Sequence, residues 1–468
     1  MKEENSMRTL TIKILTIAAI SLFLMLPISM INSKVYERQT FKASVLHNIS
    51  QSSSEAQIIT GPIVVVPYVK RSSTTYFNKD GGKQISYTYT DGQLYFSPDD
   101  LEIESALWTE ERYRGIYSAR LYHSDNTIRA KFVIPANFGI TEELDDYQFK
   151  TAIVSLGISD VRGIESLPGL TVNSKSLAII PGSHLPQLSE GVHSILPLNS
   201  DSASQTLDIL IPLKLQGTSS LSISPTGKET HVSMTSDWPH PSFQGQLLPR
   251  ASDVSPDGFS ADWATSYLSN SYQDTFDKCF IHETCEAFKS NNLSVSFIEP
   301  VDEYVKTERA TKYAVLFIVL IFTGFFLFEV LKSIQIHPVQ YVLVGLALAV
   351  FYLLLLSLSE HFGFAFSYLL ASLASTLLIS SYLSSLLASW KGVVSFTTMI
   401  TILYGLLYGI ISAEDYALLM GSILLFMMLS VFMIMTRRID WYEIGDTISL
   451  KQTQSKSQLI CDAHSGRN

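Results

Sequence analysis

Two apolar patterns divide the chain. In the last third the apolar residues run unbroken. Residues 314–328, 338–359, 362–390, 392–413 and 416–436 contain no Asp, Glu, Lys or Arg. A sixth such run, 14–31, lies near the N-terminus behind Lys2, Arg8 and Lys13. A helix that crosses the hydrocarbon core needs about 20 apolar residues, so these runs predict six transmembrane helices. The first reads as an uncleaved anchor rather than a signal peptide: it is longer than the roughly 7–15 residues of a signal core and no small-residue cleavage site follows.

Between 34 and 312 the pattern changes to short alternating stretches punctuated by turns. Residues 63–66 are β-branched and bounded by Pro62 and Pro67. The stretches 86–90 and 93–96 flank Asp91-Gly92, which predicts a hairpin turn, and Asp80-Gly81-Gly82 predicts another. Residues 207–215, 221–224 and 230–235 alternate as well. This spacing predicts a β-rich, sandwich-like domain inserted between helices one and two, with 35–50 as a helical stalk. Strands running into Trp108 and into Trp238 resemble each other thinly, leaving open an internal duplication. The expected division is a cytoplasmic 1–13, an anchor 14–31, a periplasmic domain 34–312, a five-helix bundle 313–436 and a cytoplasmic tail 437–468, disordered from about 449.

Composition supports a membrane protein. Of 468 residues 47% are hydrophobic and 16% charged, with a mean hydropathy of +0.22. Lys332, Lys391, Arg437 and Arg438 fall in alternate connections, while the turns near Glu360 and Glu414 carry no Lys or Arg. Both termini are therefore expected in the cytoplasm. The net charge of −10 argues against a nucleic-acid partner.

Candidate chemistry is sparse. The stretch SDWPHPSFQG holds Asp237, Trp238, His240 and Phe243 between stiffening prolines. It suits a structural corner or an interaction surface; no nucleophile motif adjoins it. Cys279 and Cys285 read as a disulfide in an oxidising compartment, since a metal site built with His282 would lack a fourth ligand. Glu360 and His361 mark an interfacial turn. Glu329 precedes Lys332 by three residues, a spacing that permits a local pair. Ser367, Ala371 and Ser375, and Gly405 with Gly409, are spaced for close helix packing and would also suit self-association into a homo-oligomer. Trp390, Trp441 and Tyr442 fit an interfacial aromatic belt. No catalytic residue, cofactor or metal site is expected.

Several blocks in order carry a family resemblance: GPIVVVPY (61–68), GIYSARLYHSD (115–125), SLGISDVRGI (155–164), SDWPHPSFQG (236–245), SPDGFSADW (255–263), RATKYAVLFI (309–318), HPVQYVLVGLALAVFYLLLLSLSEH (337–361) and RRIDWY (437–442). Through them the chain resembles the CreD family of inner-membrane proteins. The resemblance implies a cell inner-membrane protein linked to the CreBC regulon, with a role in envelope integrity, colicin E2 tolerance and β-lactam response. It implies no catalytic residue. The reading is of a non-enzymatic envelope-stress protein that binds a lipid or an envelope protein through its periplasmic domain. Its rival is a transporter or flippase of an envelope lipid, supported by the serines of the fourth helix (Ser372, Ser375, Ser380, Ser381, Ser384 and Ser385) and needing a polar cavity beside them.

Overall fold

The computed structural model describes residues 2–437 apart from 78–82, 167–168, 189, 201–202, 267–271, 283, 286–287, 289, 298–301, 333–335, 387–389 and 414–415. The expectations for Glu414, Arg438, Trp441, Tyr442 and the tail from Ser449 lie outside these residues, as does the turn at 80–82. The chain divides into two compact units, Met1–Lys42 with Val301–Asn468, and Ala43–Pro300.

The first unit is helical. Its elements are α1 (Lys2–Phe23), α2 (Met25–Ser52, which continues into the second unit), and, after α3 (Tyr272–Phe280) of the second unit, α4 (Glu303–Lys312), α5 (Ala314–Lys332), α6 (Pro338–Phe362), α7 (Phe364–Leu386), α8 (Trp390–Ser412) and α9 (Ala417–Thr436). Pro27 explains the break at Leu24: it has no N–H for the carbonyl of Phe23, and its ring crowds that carbonyl. Helix α6 begins sharply. His337 Nδ1 accepts from the Val339 N–H at 3.3 Å, Gln340 Oε1 accepts from the His337 N–H at 3.0 Å, and Pro338 occupies the first helical position. Gly363, at φ 75°, ends it. Among the described residues five helices are long and apolar enough to cross a membrane, and α4 with α5, bent by 46°, would make a sixth if counted as one span. A buried core of aromatic and aliphatic side chains, including Phe322, Phe325, Phe351 and Tyr404, holds the helices together.

The second unit is a β-sandwich with a helical cap. Its strands are β1 (Gln57–Phe77), β2 (Lys83–Phe96), β3 (Asp100–Arg114), β4 (Tyr117–Ile134), β5 (Tyr147–Phe149), β6 (Ala152–Ile158), β7 (Leu170–Val172), β8 (Lys175–Leu177) and β9 (Ile180–Pro181). They continue as β10 (Gly191–Leu196), β11 (Gln205–Thr218), β12 (Ser220–Ser224), β13 (Glu229–Ser236), β14 (Pro241–Gly245), β15 (Ala251–Ser255), β16 (Gly258–Ser266) and β17 (Leu293–Phe297). One sheet runs β14-β17-β12-β1-β6-β10-β9, with β2 and β5 also on β1; the other runs β15-β16-β13-β3-β4-β11-β7-β8. Strand β11 shows the one-sided pattern. Leu207, Ile209, Ile211, Leu213 and Leu215 are buried between the sheets while Asp208, Leu210 and Lys214 face out. In β1 all of Ile63–Val66 is buried, because Val64 and Val66 face the sandwich core while Ile63 and Val65 face the cap formed by Phe276, Phe280, Phe288 and Leu185. A strand covered on both faces reads as a continuous apolar run.

The hairpin expected at Asp91-Gly92 is not there. Strand β2 runs straight through it, and Asp91 and Gly92 pair with Val69 and Tyr68. Gly92 serves a packing need instead: the Tyr68 ring lies over it, and a Cβ there would force that ring aside. The segments at Trp108 and Trp238 are brought side by side, since β3 and β13 pair in parallel with Leu107 opposite Ser236.

Candidate functional site

The corner after β13 is built from backbone bonds. The Asp237 carboxylate accepts from the Thr109 N–H at 3.1 Å, tying the corner to β3. Trp238 Nε1 donates to the His240 carbonyl at 3.0 Å, which closes the turn around Pro239. The Arg120 guanidinium lies 3.9 Å from the centre of the half-buried Trp238 ring and also donates to Glu111 at 2.6 Å. The His240 imidazole is exposed, with its edge towards Trp238 at 5.7 Å. Phe243 packs edge-on against Phe259 and Trp263, at 5.7 and 5.8 Å. The fold therefore gathers Asp237, Trp238, His240 and Phe243 at one corner, with Asp237 acting as an acceptor for backbone and Trp238 as its anchor.

Two histidine clusters were not legible in the sequence. His123 stacks on Trp108 at 5.5 Å and stands between Glu110, at 3.0 Å, and Glu165. Its hydrogen bond to Glu110, helped by Arg112, holds that carboxyl below the usual range. His184 and His193 meet edge to face at 4.2 Å, although eight residues lie between them. Register pairing and a loop make these contacts, and neither follows a sequence spacing. Cys279 and Cys285 are disulfide-bonded, so their sulfurs are not available as ligands with His282. Among the described residues no three His, Cys, Asp or Glu side chains converge on a metal position.

The helical unit carries polar ties at both ends of its bundle. Glu329, only 6% exposed, is met by the Lys13 ammonium, by the Tyr341 hydroxyl at 2.9 Å and by the Ile336 N–H at 3.0 Å. The Lys332 side chain lies outside the described residues; the partners of Glu329 come from α1, α6 and the connection before α6. A signal existed. Lys13 precedes the first apolar run and Glu329 follows the second, which places them at one depth when two helices cross in opposite directions. At the other end the Tyr304 hydroxyl donates to Glu360 at 3.1 Å and Arg38 approaches it at 3.5 Å. His361 is exposed.

A groove of about 330 Å³ opens between α7 and α8. Tyr368, Ser372, Thr376, Thr401, Tyr404 and Tyr408 supply its polar wall, and Leu369 and Leu373 form apolar lips. Tyr368 Oη donates to the Tyr404 carbonyl at 2.7 Å, and Tyr404 Oη donates to Ser375 Oγ at 2.9 Å. Ser372 and Thr401 return their hydroxyls to carbonyls of their own helices, at 3.0 and 2.9 Å. No hydrogen bond is made by the Tyr408 hydroxyl among the described residues. Ser367, Ala371 and Ser375 are buried against the bundle. Gly405 is not a packing contact: a Cβ there would meet no atom within 4 Å, because the residue lines the groove. Of the two glycines, Gly409 alone has a neighbour within the bundle, Met420, so packing inside the chain does not use Gly405.

The chain thus combines an apolar helical bundle with a disulfide-bonded β domain. Residues 9–442 match the family model described as inner membrane protein CreD. The chain is 35% identical over 444 residues to inner membrane protein CreD of Escherichia coli (strain K12), covering 94% of this chain and 95% of that one. It belongs to the CreD family of inner-membrane proteins. A crystal structure of an M1 zinc metallopeptidase from Deinococcus radiodurans aligns with a TM-score of 0.20 and 8% identity over 36% of this chain and 39% of that one, a likeness too slight to bear on fold or function.

Proposed function

We propose that this protein is a non-catalytic component of cell-envelope maintenance that holds a membrane lipid in the groove between α7 and α8. The groove carries the reading. It pairs apolar lips, suited to an acyl chain, with tyrosine and serine hydroxyls, suited to the ester or hydroxyl region of a lipid. The sequence suggests an envelope protein or a lipid held by the β domain; a lipid held by the bundle is favoured here because the groove offers it a lined pocket, while Asp237 and Trp238 are engaged within their own corner.

The experiment is lipid analysis by mass spectrometry of protein purified in mild detergent, together with complementation of a deletion strain for envelope-stress phenotypes, including colicin E2 tolerance and β-lactam response. Tyr408→Phe and Ser372→Leu are expected to lose a specific co-purifying lipid and the phenotype at unchanged protein level. Retention of both would overturn the reading. A flippase would need the same lateral opening; lipid translocation in proteoliposomes distinguishes it from a static lipid-binding protein.

The proposed placement puts the β domain in the periplasm and both termini in the cytoplasm. The lysines and arginines of alternate connections support it, as does a disulfide in the β domain. A membrane-impermeant thiol reagent applied to intact spheroplasts should label Gln244→Cys; protection of that site until lysis would reverse the orientation.

A further inference from the structure

We propose that a second cleft, beneath the disulfide-bonded cap of the β domain, binds a small molecule bearing a primary ammonium group on a compact apolar body. This inference is independent of the lipid reading. The cleft has a volume of about 230 Å³. Its floor is the outer face of β1, β6 and β12, where Ile58, Thr60, Gly157 and Ser224 lie, and its roof is Gln187, Leu188 and Phe288. Gly157 keeps the floor low: a Cβ there would stand 3.1 Å from Leu188 Cδ1 and 3.2 Å from Thr60 Cβ.

The polar groups lining this cleft are nearly all acceptors. Thr60 Oγ1 donates to Ser224 Oγ at 3.3 Å, Ser224 Oγ donates to Asn292 Oδ1 at 2.6 Å, and Ser159 Oγ donates to the Ala56 carbonyl at 3.0 Å while accepting from the Ile58 N–H at 2.8 Å. The hydroxyl protons are therefore used within the protein, and one lone pair is left on each of Ser159 and Ser224, which already accept from the Ile58 N–H and from Thr60. The Gln187 amide is oriented by its Nε2, which donates to the Phe280 carbonyl at 3.5 Å. Its Oε1 is buried without a partner, a costly state for an acceptor. Glu190 accepts from the Val161 N–H at 3.1 Å; it is exposed, no salt bridge to it is made among the described residues, and the neighbouring Arg162, which is held by Asp160, feels its charge. Among the described residues that line the cleft there is no Lys, Arg or His. A wall of acceptors with one carboxylate complements a cation with several N–H donors. Phe288, Leu188 and Ile58 complement a small hydrocarbon body.

The test uses the full-length protein in lipid nanodiscs and cyclohexylamine at neutral pH, with cyclohexanol and cyclohexanecarboxylate as controls. Saturation-transfer NMR is expected to show saturable binding of the amine alone. Glu190→Gln and Gln187→Met should each weaken it at least tenfold. Glu190→Gln preserves shape at an exposed position, so it decides the matter if Gln187→Met unfolds the cap. Binding of the alcohol as strong as that of the amine, amine binding unchanged in Glu190→Gln, or no saturable binding would each overturn the proposal.

Discussion

The ammonium of Lys13 on α1 meets the carboxylate of Glu329 on α5, 316 residues later in the chain, and Tyr341 on α6 completes the contact. One buried acid thus ties three helices. Removing one member of a buried pair leaves an uncompensated charge, at about 3–5 kcal/mol. Lys13→Met and Glu329→Gln should each lower the thermal midpoint in detergent sharply. The double variant should recover part of the loss, because no charge is then stranded. Additive losses in that cycle would show that the two residues do not act as a pair.

At the corner after β13 the three polar or aromatic residues have different expected costs. Asp237→Ala removes an acceptor from the Thr109 N–H and should destabilise the β domain by about 1 kcal/mol. His240→Ala should stay within roughly 0.5 kcal/mol, because only the carbonyl of His240 is used. Trp238→Ala should cost less than the roughly 3–5 kcal/mol of a fully buried aromatic, since the ring is half-buried. Chemical denaturation followed by tryptophan fluorescence, with Trp238 variants followed by circular dichroism, checks this order.

Acid should loosen the attachment of α2 to the β domain. Arg162 donates to Asp160 at 2.8 and 2.7 Å and to the Gln51 carbonyl at 2.5 Å, and the Glu55 N–H donates to Asp160 at 3.0 Å. The Arg162 guanidinium, with these N–H donors, holds the Asp160 carboxyl below its ordinary value of 3.8. A depressed folded-state value means stability that is complete above the ordinary value and is lost as pH falls through the lowered one. Melting temperatures measured from pH 6 downward should therefore fall less steeply below about pH 4 in Asp160→Asn than in the unmodified protein.

Gly405→Leu separates binding from folding. A Cβ at that position would meet no protein atom within 4 Å, and the residue lines the groove between α7 and α8, into which a larger side chain is expected to extend. The thermal midpoint should stay within about 1 kcal/mol of the unmodified protein, helped by the poor helix propensity of glycine. Lipid retention, measured by mass spectrometry, should drop. A variant that unfolds would show that the groove is closed by packing.

Much of the architecture was legible because the solvent on each side of an element writes a period into it. The uninterrupted runs at 338–359 and 416–436 lie within α6 and across α9, and the alternation at 207–215 is the inward face of β11. The unbroken run at 63–66 is intelligible once the cap over Ile63 and Val65 is seen. What failed depended on partners distant in sequence. Asp91-Gly92 has the composition of a turn, yet it lies within a strand with the Tyr68 ring packed over the glycine. The parallel pairing of β3 with β13 and the meeting of His184 with His193 come from topology. The groove was anticipated only as a requirement of serine-rich α7; of its tyrosines, Tyr368 comes from α7, and the buried Tyr404 and exposed Tyr408 come from α8.

The β domain opens and closes in one sheet. Gln57, where β1 begins, pairs with Leu221 of β12, and Leu221 pairs with Val295 near the end of β17. Neighbouring strands stand about 4.8 Å apart, so the incoming and outgoing chain are separated by about 10 Å. An insertion with such close ends behaves as a cassette. A peptide of a few residues could replace everything between these strands, and the same gap would accept a foreign domain with neighbouring termini, so the β domain can be exchanged, shortened or tagged by cutting at a single seam.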